Sequence, residues 1–468
     1  MKTRTLILAT SLLAFNLLFI SACTTDGSAT SGDAGGGVTS DSRPDSETAG
    51  TTTDGTSTAG TTTAGTTTGG TTTDGITSDI SIEEPGTTTA PVDGEPPQSD
   101  IQSGTLTAAD YDDQLNTELY QDYVSGYLQN TGGTDQAPFI DLAERISINV
   151  TDSNNEPYSG ANITLSDQGN DLLHLKTPAT GTATIYPGFD ELPATLTLTV
   201  SDRFGDVMNT QSINLADMGD TREINVALDS ERQSTNELDL LLVIDTTGSM
   251  GDELSYLQAE LSAILSRIKS NHPQVSLQAG LVVYRDIGDE YVVKSFQFTE
   301  DLDALQSTLN GQNHDGGGDY PEAMDQALAE ALTLNWREQS NKILMLVADA
   351  PPHNNKVSAT WRSAVTARVE QIHIVPVAAS GVASEAEFLM RAMAAITHSR
   401  YVFLTDDSGV GNPHEEPDVS CYIVTRLDSL LVRIVDSLVT GVRQEPDSNE
   451  IIRQVGNYSG GRCLTPQQ

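Results

Sequence analysis

The 468-residue sequence has little positive charge. It contains 24 lysines and arginines against 66 aspartates and glutamates, which gives a formal net charge of −42. We find no basic patch along the chain. This balance excludes nucleic-acid binding and direct adsorption to an anionic membrane, because both require clustered positive charge. The charge fits a solvated protein outside the cytoplasm.

Long apolar runs are also scarce, and the most prominent one stands at the start of the chain. It extends from Leu6 to Ile20 behind two basic residues, and it is too short to span a bilayer comfortably. A charged start followed by such a run is typical of a secretory signal peptide. We therefore expect residues 1–22 to direct export.

The run ends in Ile-Ser-Ala-Cys, which resembles a bacterial lipobox. The resemblance implies that Cys23 is lipidated on its sulfur and becomes the mature N-terminus, so that several acyl chains anchor the protein to a membrane. Thr24 follows, rather than the aspartate that resembles an inner-membrane retention signal in enteric bacteria. We expect a lipid-anchored protein of the bacterial cell envelope, with the outer membrane favoured. The alternative is a soluble secreted protein.

Residues 23–104 have almost no large apolar side chains and consist mainly of Thr, Gly, Ser, Asp and Pro. Such a segment has too little apolar surface to fold alone. Residues 51–75 repeat a Thr-rich pentapeptide, a unit far too short for a solenoid. These features predict a disordered tether between the lipid anchor and the folded domains.

The next two segments differ in their hydrophobic period. Residues 105–140 carry leucines and tyrosines at helical spacing, which predicts a packing helix. In residues 141–231 the period changes to two, in about seven short runs separated by turn clusters, which predicts a β-sandwich. The stretch from Val150 to Ala183 resembles the carboxypeptidase-regulatory-like family of immunoglobulin-like sandwiches. That resemblance implies a spacer, and the stretch contains no catalytic cluster.

The apolar run from Leu238 to Ile244 is typical of a central strand that is buried on both faces. It stops at Asp245, Thr247 and Ser249, whose side-chain oxygens can converge above the carboxyl end of the strand, where open α/β sheets bind ligands. One carboxylate and two hydroxyls favour a hard divalent cation, with Mg preferred and Mn or Ca as alternatives. The other interpretation is that Asp245 and Thr247 only cap the following helix.

Two later loops add acidic residues to the same region. The glycine-rich loop at residues 313–322 contains Asp319, and the apolar strand at residues 342–348 is followed by Asp349. The carboxyl ends of parallel strands meet at one edge of the sheet. We therefore expect all three acidic loops to face one rim.

Together the three loops resemble the von Willebrand factor A domain and its metal-ion-dependent adhesion site. The pattern of that site is Asp-x-Ser/Thr-x-Ser, a second-loop oxygen ligand and a later Asp. The resemblance covers about residues 237–401 and implies that Asp245, Thr247, Ser249 and Asp349 belong to the metal site. The second loop departs from the integrin-like form, in which a Thr is the ligand, and its Gly-Gly-Gly-Asp-x-Pro-Glu version offers Asp319. Asp319 either binds the metal directly or only frames the loop.

The alternation of strands and helices across residues 232–405 predicts an α/β fold with a doubly wound, mainly parallel sheet. Residues 406–468 are predicted to form an acidic loop and a helical extension.

Once Cys23 is assigned to the lipid, Cys421 and Cys463 remain as an even pair in an oxidising compartment, on either side of that helix. We therefore predict a disulfide between them.

Motifs for catalysis are missing from the sequence. It has no P-loop, and the first acidic loop lacks the Gly-x-Ser-x-Gly elbow of hydrolases, so we expect no enzyme and no catalytic residue. Two hypotheses remain. In one, a surface lipoprotein binds a protein ligand through its metal site. In the other, the protein is a scaffold or assembly factor for an envelope complex, and the metal mainly rigidifies its loops.

Overall fold

The computed structural model describes residues 104–131, 139–219, 221–232, 235–409, 416–417 and 419–464. The predicted signal peptide, Cys23 and nearly all of the predicted tether lie outside these residues. So does the middle of the predicted acidic loop, at residues 410–415. Within the described ranges, no helix combines the length and hydropathy needed to cross a membrane.

The first described segment contains a strand and a helix, β1 (Thr107–Tyr111) and α1 (Thr117–Asn130). The prediction of one helical segment over residues 105–140 is therefore wrong for its first part. All five residues of β1 are buried, and they pair with strands that lie far away in the sequence. Local periodicity gives no information about such distant partners. In α1, Tyr120 and Val124 form the buried face.

A two-sheet region follows, in the stretch for which the sequence predicts a β-sandwich. One sheet has the order β5-β2-β8 and the other β4-β3-β6-β7, and buried side chains from both form a single core. The alternation predicted from the sequence is clear in β2, where Ile146, Ile148 and Val150 are buried. The seven strands are β2 (Ile146–Thr151), β3 (Asn162–Asp167), β4 (Asn170–Lys176), β5 (Thr182–Ile185), β6 (Thr195–Ser201), β7 (Val207–Asn214) and β8 (Glu223–Ala227).

From residue 237 strands and helices alternate. The elements are β9 (Glu237–Asp245), α2 (Gly251–Asn271), β10 (Ser276–Tyr284), β11 (Val293–Thr299), α3 (Leu302–Asn310), α4 (Met324–Thr333), β12 (Asn341–Ala348), α5 (Val357–Val369), β13 (Ile372–Ala378), α6 (Ser384–Ile396) and β14 (Tyr401–Thr405). Apolar residues of β9 alternate between two cores. One core packs against α1, α4, α5 and α6, and the other against α2, α3 and a later helix, α7 (Leu427–Thr440).

The last described elements are β15 (Tyr422–Arg426), α7 (Leu427–Thr440), β16 (Arg453–Val455), β17 (Tyr458–Ser459) and β18 (Arg462–Cys463). The sequence suggested a separate helical extension here, but β15 and β16 belong to the large sheet, and α7 packs against α2 and that sheet. Cys421 and Cys463 form a disulfide in the structure.

The large sheet has the order β11-β10-β9-β12-β13-β14-β1-β15-β16. The run from β10 to β14 is parallel, whereas β11, β1, β15 and β16 pair in the antiparallel direction. The sheet is therefore mixed rather than mainly parallel. The strand order reverses between β9 and β12, and the crevice outside the carboxyl ends of two such strands is where α/β sheets bind ligands.

The two-sheet region packs against the α/β domain through a few specific contacts. Asp190 and Arg368 form a buried ion pair at 2.7 Å, and the Arg368 guanidinium also donates to the carbonyl oxygen of Thr184. The Gln371 side chain donates to the carbonyl oxygen of Thr177 at 2.9 Å. These contacts fix the region against the side of the domain that carries α5.

Candidate metal centre

The first acidic loop begins where β9 ends. The Asp245 side chain is fully buried, and its Oδ1 accepts hydrogen bonds from the backbone N–H of Thr247 at 2.9 Å and from the Thr247 hydroxyl at 2.7 Å. The Thr247 hydroxyl also lies 3.4 Å from the hydroxyl oxygen of Ser249. The turn therefore brings the three predicted oxygen donors together above the end of the strand.

The geometry does not support the helix-capping interpretation. The helix α2 begins at Gly251 with Met250 at its N-cap, and no side chain caps it. A capping residue would accept a hydrogen bond from the first turn of the helix. Asp245 instead accepts its hydrogen bonds from Thr247, so it stabilises the loop and does not cap the helix.

Asp349 follows β12 and lines the same opening. A cavity of about 480 Å³ lies between the loops, and Thr247, Ser249, Asp319 and Asp349 are among its lining residues. Asp349 is buried, its Oδ1 has no hydrogen-bond partner, and burial raises the pKa of its carboxyl. The structure thus brings Asp349 to the Asp245 loop, as expected for strands that are neighbours in the sheet.

The second loop differs from the sequence-based expectation. Asp319 is exposed on the rim of the cavity, whereas Glu322 is buried and lines the cavity with its Oε2 unpartnered. The backbone N–H of Glu322 donates to the carbonyl oxygen of Pro351, which ties the second loop to the third. Sequence reasoning missed Glu322 as a site residue, although it stands in the Asp-x-Pro-Glu motif.

A glycine lets the second loop approach the first. Gly317 has φ +70°, and a Cβ atom at this position would lie 2.7 Å from Oε1 of Glu322 and 3.0 Å from Cβ of Thr247. Any other residue would push the two loops apart, in a backbone conformation that L residues rarely adopt. The close packing of Glu322 and Thr247 therefore depends on this glycine.

The site brings together carboxyl groups whose ionised forms are disfavoured by burial. Burial, and next the charge of Asp349, raise the pKa of Asp245 to about 7. Burial, followed by Asp245 and Asp286, raises the pKa of Glu322 to about 9. The Oδ2 atom of Asp245 is buried and has no hydrogen bond of ordinary geometry, although the buried Tyr284 hydroxyl lies nearby.

The positive side chains of the neighbouring loops pair with other carboxylates. Arg285 lies 3.8 Å from Glu290, His353 lies 2.7 Å from Asp286, and Lys356 lies 3.5 Å from Asp325. Among the described residues, no lysine or arginine forms an ion pair with the site carboxylates Asp245, Asp349 and Glu322. Buried charges are normally paired or bound to metal, so these oxygens are suited to an external cation.

The donor chemistry fits a hard divalent ion. In the described part of the chain, no three His, Cys, Asp or Glu side chains stand close enough to hold a metal by themselves. A site at this rim therefore needs the hydroxyls of Thr247 and Ser249 beside Asp245 and Asp349. Oxygen-only donors suit Mg, Mn or Ca, and Mg usually keeps several waters, through which Glu322 could contribute its charge.

Comparison with known proteins finds similarity over the α/β domain. The von Willebrand factor A domain family matches residues 239–411. A putative ariadne-like RING finger protein of Acanthamoeba polyphaga mimivirus is 35% identical over 117 residues, which is 25% of this chain and 11% of that protein. The alpha-protein kinase vwkA of Dictyostelium discoideum is 24% identical over 120 residues, 25% of this chain and 19% of the kinase. The chain thus spans only a small part of these relatives.

Among solved structures, the pilus adhesin SpaC of Lactobacillus rhamnosus GG aligns over 53% of this chain and 32% of its own, with 12% identity and a TM-score of 0.32. The SpRpn10 VWA domain aligns over 33% of this chain and 82% of its own, with 16% identity and a TM-score of 0.26.

The family match covers the strands and all three loops that form the site. The chain therefore contains a von Willebrand factor A domain, here an α/β domain with a mixed central sheet. Domains of this class typically mediate protein interactions.

Proposed function

We propose that the protein is a lipid-anchored component of the bacterial cell envelope that binds a protein ligand through a divalent cation at the rim of its von Willebrand factor A domain. The observation that carries the proposal is the pair of buried, unpartnered oxygens, Oδ2 of Asp245 and Oδ1 of Asp349, beside the hydroxyls of Thr247 and Ser249. Thr247, Ser249 and Asp349 line an opening that a partner can reach, and Asp245 lies buried directly behind Thr247. Mg is the preferred ion, and the protein is not an enzyme.

In this proposal each side chain has a distinct task. Asp245 and Asp349 supply charged oxygens, Thr247 and Ser249 supply neutral ones, and the hydrogen bonds from Thr247 fix the orientation of the Asp245 carboxylate. Glu322 adds negative charge next to the ion. A divalent cation would then be outnumbered by three carboxylates, so the occupied site would attract a neutral or basic group of the partner more than an acidic one.

Another set of contacts bears on the scaffold alternative, in which the metal only rigidifies the loops. The backbone N–H of Gly248 donates to the carbonyl oxygen of Gly316 at 3.1 Å, and the Tyr320 hydroxyl donates to the carbonyl oxygen of Asp349 at 3.0 Å. The loops are thus already joined by protein contacts alone. This supports a metal that acts on a partner rather than one that mainly holds the loops.

The proposed anchor and spacer complete the arrangement. Lipidation of Cys23 would hold the chain at the outer membrane, and the tether would lift the folded part above the lipid headgroups. The two-sheet region, which we propose to be an immunoglobulin-like spacer, would add further distance. A Cys23→Ala variant should lose labelling by a fatty-acid analogue in bacterial cells, and unchanged labelling would reject the lipid anchor.

The binding function is tested by capture experiments on envelope extracts. The purified chain should retain an extracellular protein ligand in Mg and release it when chelator is added, and Asp349→Ala should retain none. An Asp171→Ala variant, which removes an exposed carboxylate of the two-sheet region, serves as the control for charge. If envelope proteins copurify equally well with and without chelator, and equally well with Asp349→Ala, the result would favour the scaffold alternative.

A further inference from the structure

A second cavity lies at the end of the sheet opposite to the metal centre, where β13 and β14 begin. It has a volume of about 350 Å³. Its walls include Ser147 of the two-sheet region, Ser399 of the α/β domain and Gly441 at the end of α7. Asp112 and Gln114, which lie between β1 and α1, line it as well.

Arginines supply the charge of this cavity, in contrast to the acidic character of the whole chain. Arg145, Arg400 and Arg443 line it. Arg400 lies 3.2 Å from Asp110, and Arg443 lies 3.1 Å from Asp110 and 3.2 Å from Asp112, so these two are neutralised. Asp112 is the acidic residue of the lining, and it is already engaged by Arg443.

Arg145 is different because it forms no ion pair with a described residue. Its Nη1 donates to the backbone carbonyl oxygen of Gln114 at 2.7 Å and to Oε1 of the same side chain at 2.9 Å. Both acceptors are neutral, and Asp112, the carboxylate whose charge acts on Arg145, is already paired with Arg443. A guanidinium can donate several hydrogen bonds in a fixed fork, a geometry that matches carboxylate and phosphate oxygens.

Two further groups indicate that the cavity suits an anion. The Ser399 side chain is 4% exposed, and its hydroxyl has no hydrogen-bond partner, although buried hydroxyls normally have one. The pKa of the neighbouring His398 is lowered to about 3, first by burial and then by the positive charges of His373, Arg368 and Arg145. The local field is therefore positive where the cavity meets the α/β domain.

We infer that this cavity is a binding site for a small oxyanion, with Arg145 as the charged donor and Ser399 as a neutral donor. The ligand carries a phosphate, sulfate or carboxylate group. Because the walls come from the two-sheet region, the α/β domain and α7, a bound oxyanion also strengthens the packing between them. The site is independent of the metal centre.

Isothermal titration calorimetry tests the inference on the chain from residue 24 onwards, freed of metal on a chelating resin so that the metal centre does not contribute. Sodium phosphate, sulfate and succinate are titrated separately at ionic strength matched with sodium chloride. Saturable binding of at least one is expected. Whether the tetrahedral ions or the dicarboxylate bind identifies the ligand group. Absence of saturable binding by all three overturns the inference.

Variants locate the site. Arg145→Gln should weaken binding about tenfold or more, as expected for the loss of charge-assisted hydrogen bonds, and Ser399→Ala should weaken it a few-fold. The matched control is Arg362→Gln, which removes an exposed arginine of α5 and should leave the affinity unchanged. If Arg145→Gln fails to fold, Ser399→Ala decides the matter. Equal affinity in the wild type and in each folded cavity variant, or an equal loss in the control, overturns the assignment.

Discussion

Buried carboxylates occur in two kinds of surroundings in this protein. Three of those away from the candidate metal centre are paired with arginine: Asp113 with Arg391 at 2.7 Å, Asp190 with Arg368 at 2.7 Å, and Asp239 with Arg337 at 2.6 Å. At the metal centre, Asp245, Asp349 and Glu322 have no such partner among the described residues.

The effect of burial on a carboxyl pKa depends on the charges that lie beside the carboxyl group. Burial alone would raise the pKa of Asp110, but Arg443 and Arg400 outweigh it and the pKa falls. At Asp245 the same burial is reinforced by Asp349, and the pKa rises to about 7. Arginines thus offset the burial of some acids elsewhere in the chain, whereas Asp245, Asp349 and Glu322 have no such partner among the described residues and are suited to a cation from outside. This contrast is the physical basis of the proposed metal site.

We expect the largest effect from removing a buried carboxylate that is paired with arginine. Replacing Asp113 by alanine would remove the carboxylate that lies 2.7 Å from the buried Arg391 guanidinium, while Glu387 lies 3.0 Å from the same group. Removing one partner of a buried pair typically costs about 3–5 kcal/mol, because the other charge stays desolvated. We expect Asp113→Ala to lower the free energy of unfolding by this amount, measured by urea denaturation. A change as small as that of Asp171→Ala, at an exposed site, would contradict this account.

The disulfide closes the part of the chain that follows the α/β domain. Cys421 and Cys463 are 42 residues apart in the sequence. In the chain-entropy model, closing a loop of this size stabilises the fold by roughly 4 kcal/mol. A Cys421→Ser/Cys463→Ser variant should unfold at correspondingly lower urea. Free thiols on both cysteines in protein isolated from its native envelope would show that the bond does not form there.

Variants of the second loop test whether Glu322 or Asp319 contributes to metal binding. Glu322 is buried beside Asp245, so Glu322→Gln should weaken Mg binding by about 10- to 100-fold, the usual range for a supporting group next to a metal. Asp319 is exposed on the rim, and Asp319→Asn should change the affinity little. Calorimetric titration with Mg measures both. A steep loss for Asp319→Asn with none for Glu322→Gln would restore Asp319 as the second-loop ligand.

His398 is a base that lies among positively charged side chains, and burial and these charges lower its pKa. The folded-state pKa of His398 is about 3, below the usual 6.5, so below pH 6.5 the unfolded chain binds a proton that the folded chain does not. Acidification from pH 6.5 therefore destabilises the fold, by up to about 1.4 kcal/mol per pH unit for this group.

An asparagine variant tests this role of His398, because the backbone there has φ +55°, which asparagine tolerates. His398→Asn should lose less stability between pH 6.5 and 5 than the wild type, and identical slopes would refute this role.

Parts of the site could be predicted because they follow strands directly. Asp245 ends β9 and Asp349 follows β12, so the parallel pairing of those two strands is sufficient to bring them together. Glu322 lies in a loop whose path depends on Gly317 and on a hydrogen bond to Pro351, which no periodicity reveals.

The large sheet shows the same limit. β1 pairs with β14 through Tyr111 and Tyr401, residues 290 positions apart, so its place in the sheet could not be found from local sequence. β15 is only five residues long, and nothing in the local sequence indicates a strand within the predicted helical extension. The strands next to β9 were predictable because each follows a clear helix and carries a continuous apolar run.

The central claim is that the rim of the von Willebrand factor A domain binds one divalent cation through Asp245 and Asp349. The most direct test compares thermal unfolding of the chain from residue 24 with and without Mg, in the wild type and in Asp245→Ala. Free metal about a hundredfold above its dissociation constant should stabilise the wild type by about 3 kcal/mol. Asp245→Ala should keep the same circular dichroism spectrum but show no Mg-dependent shift. A wild-type protein whose unfolding is indifferent to Mg, Mn and Ca, and which binds none of them by calorimetry, would contradict the claim.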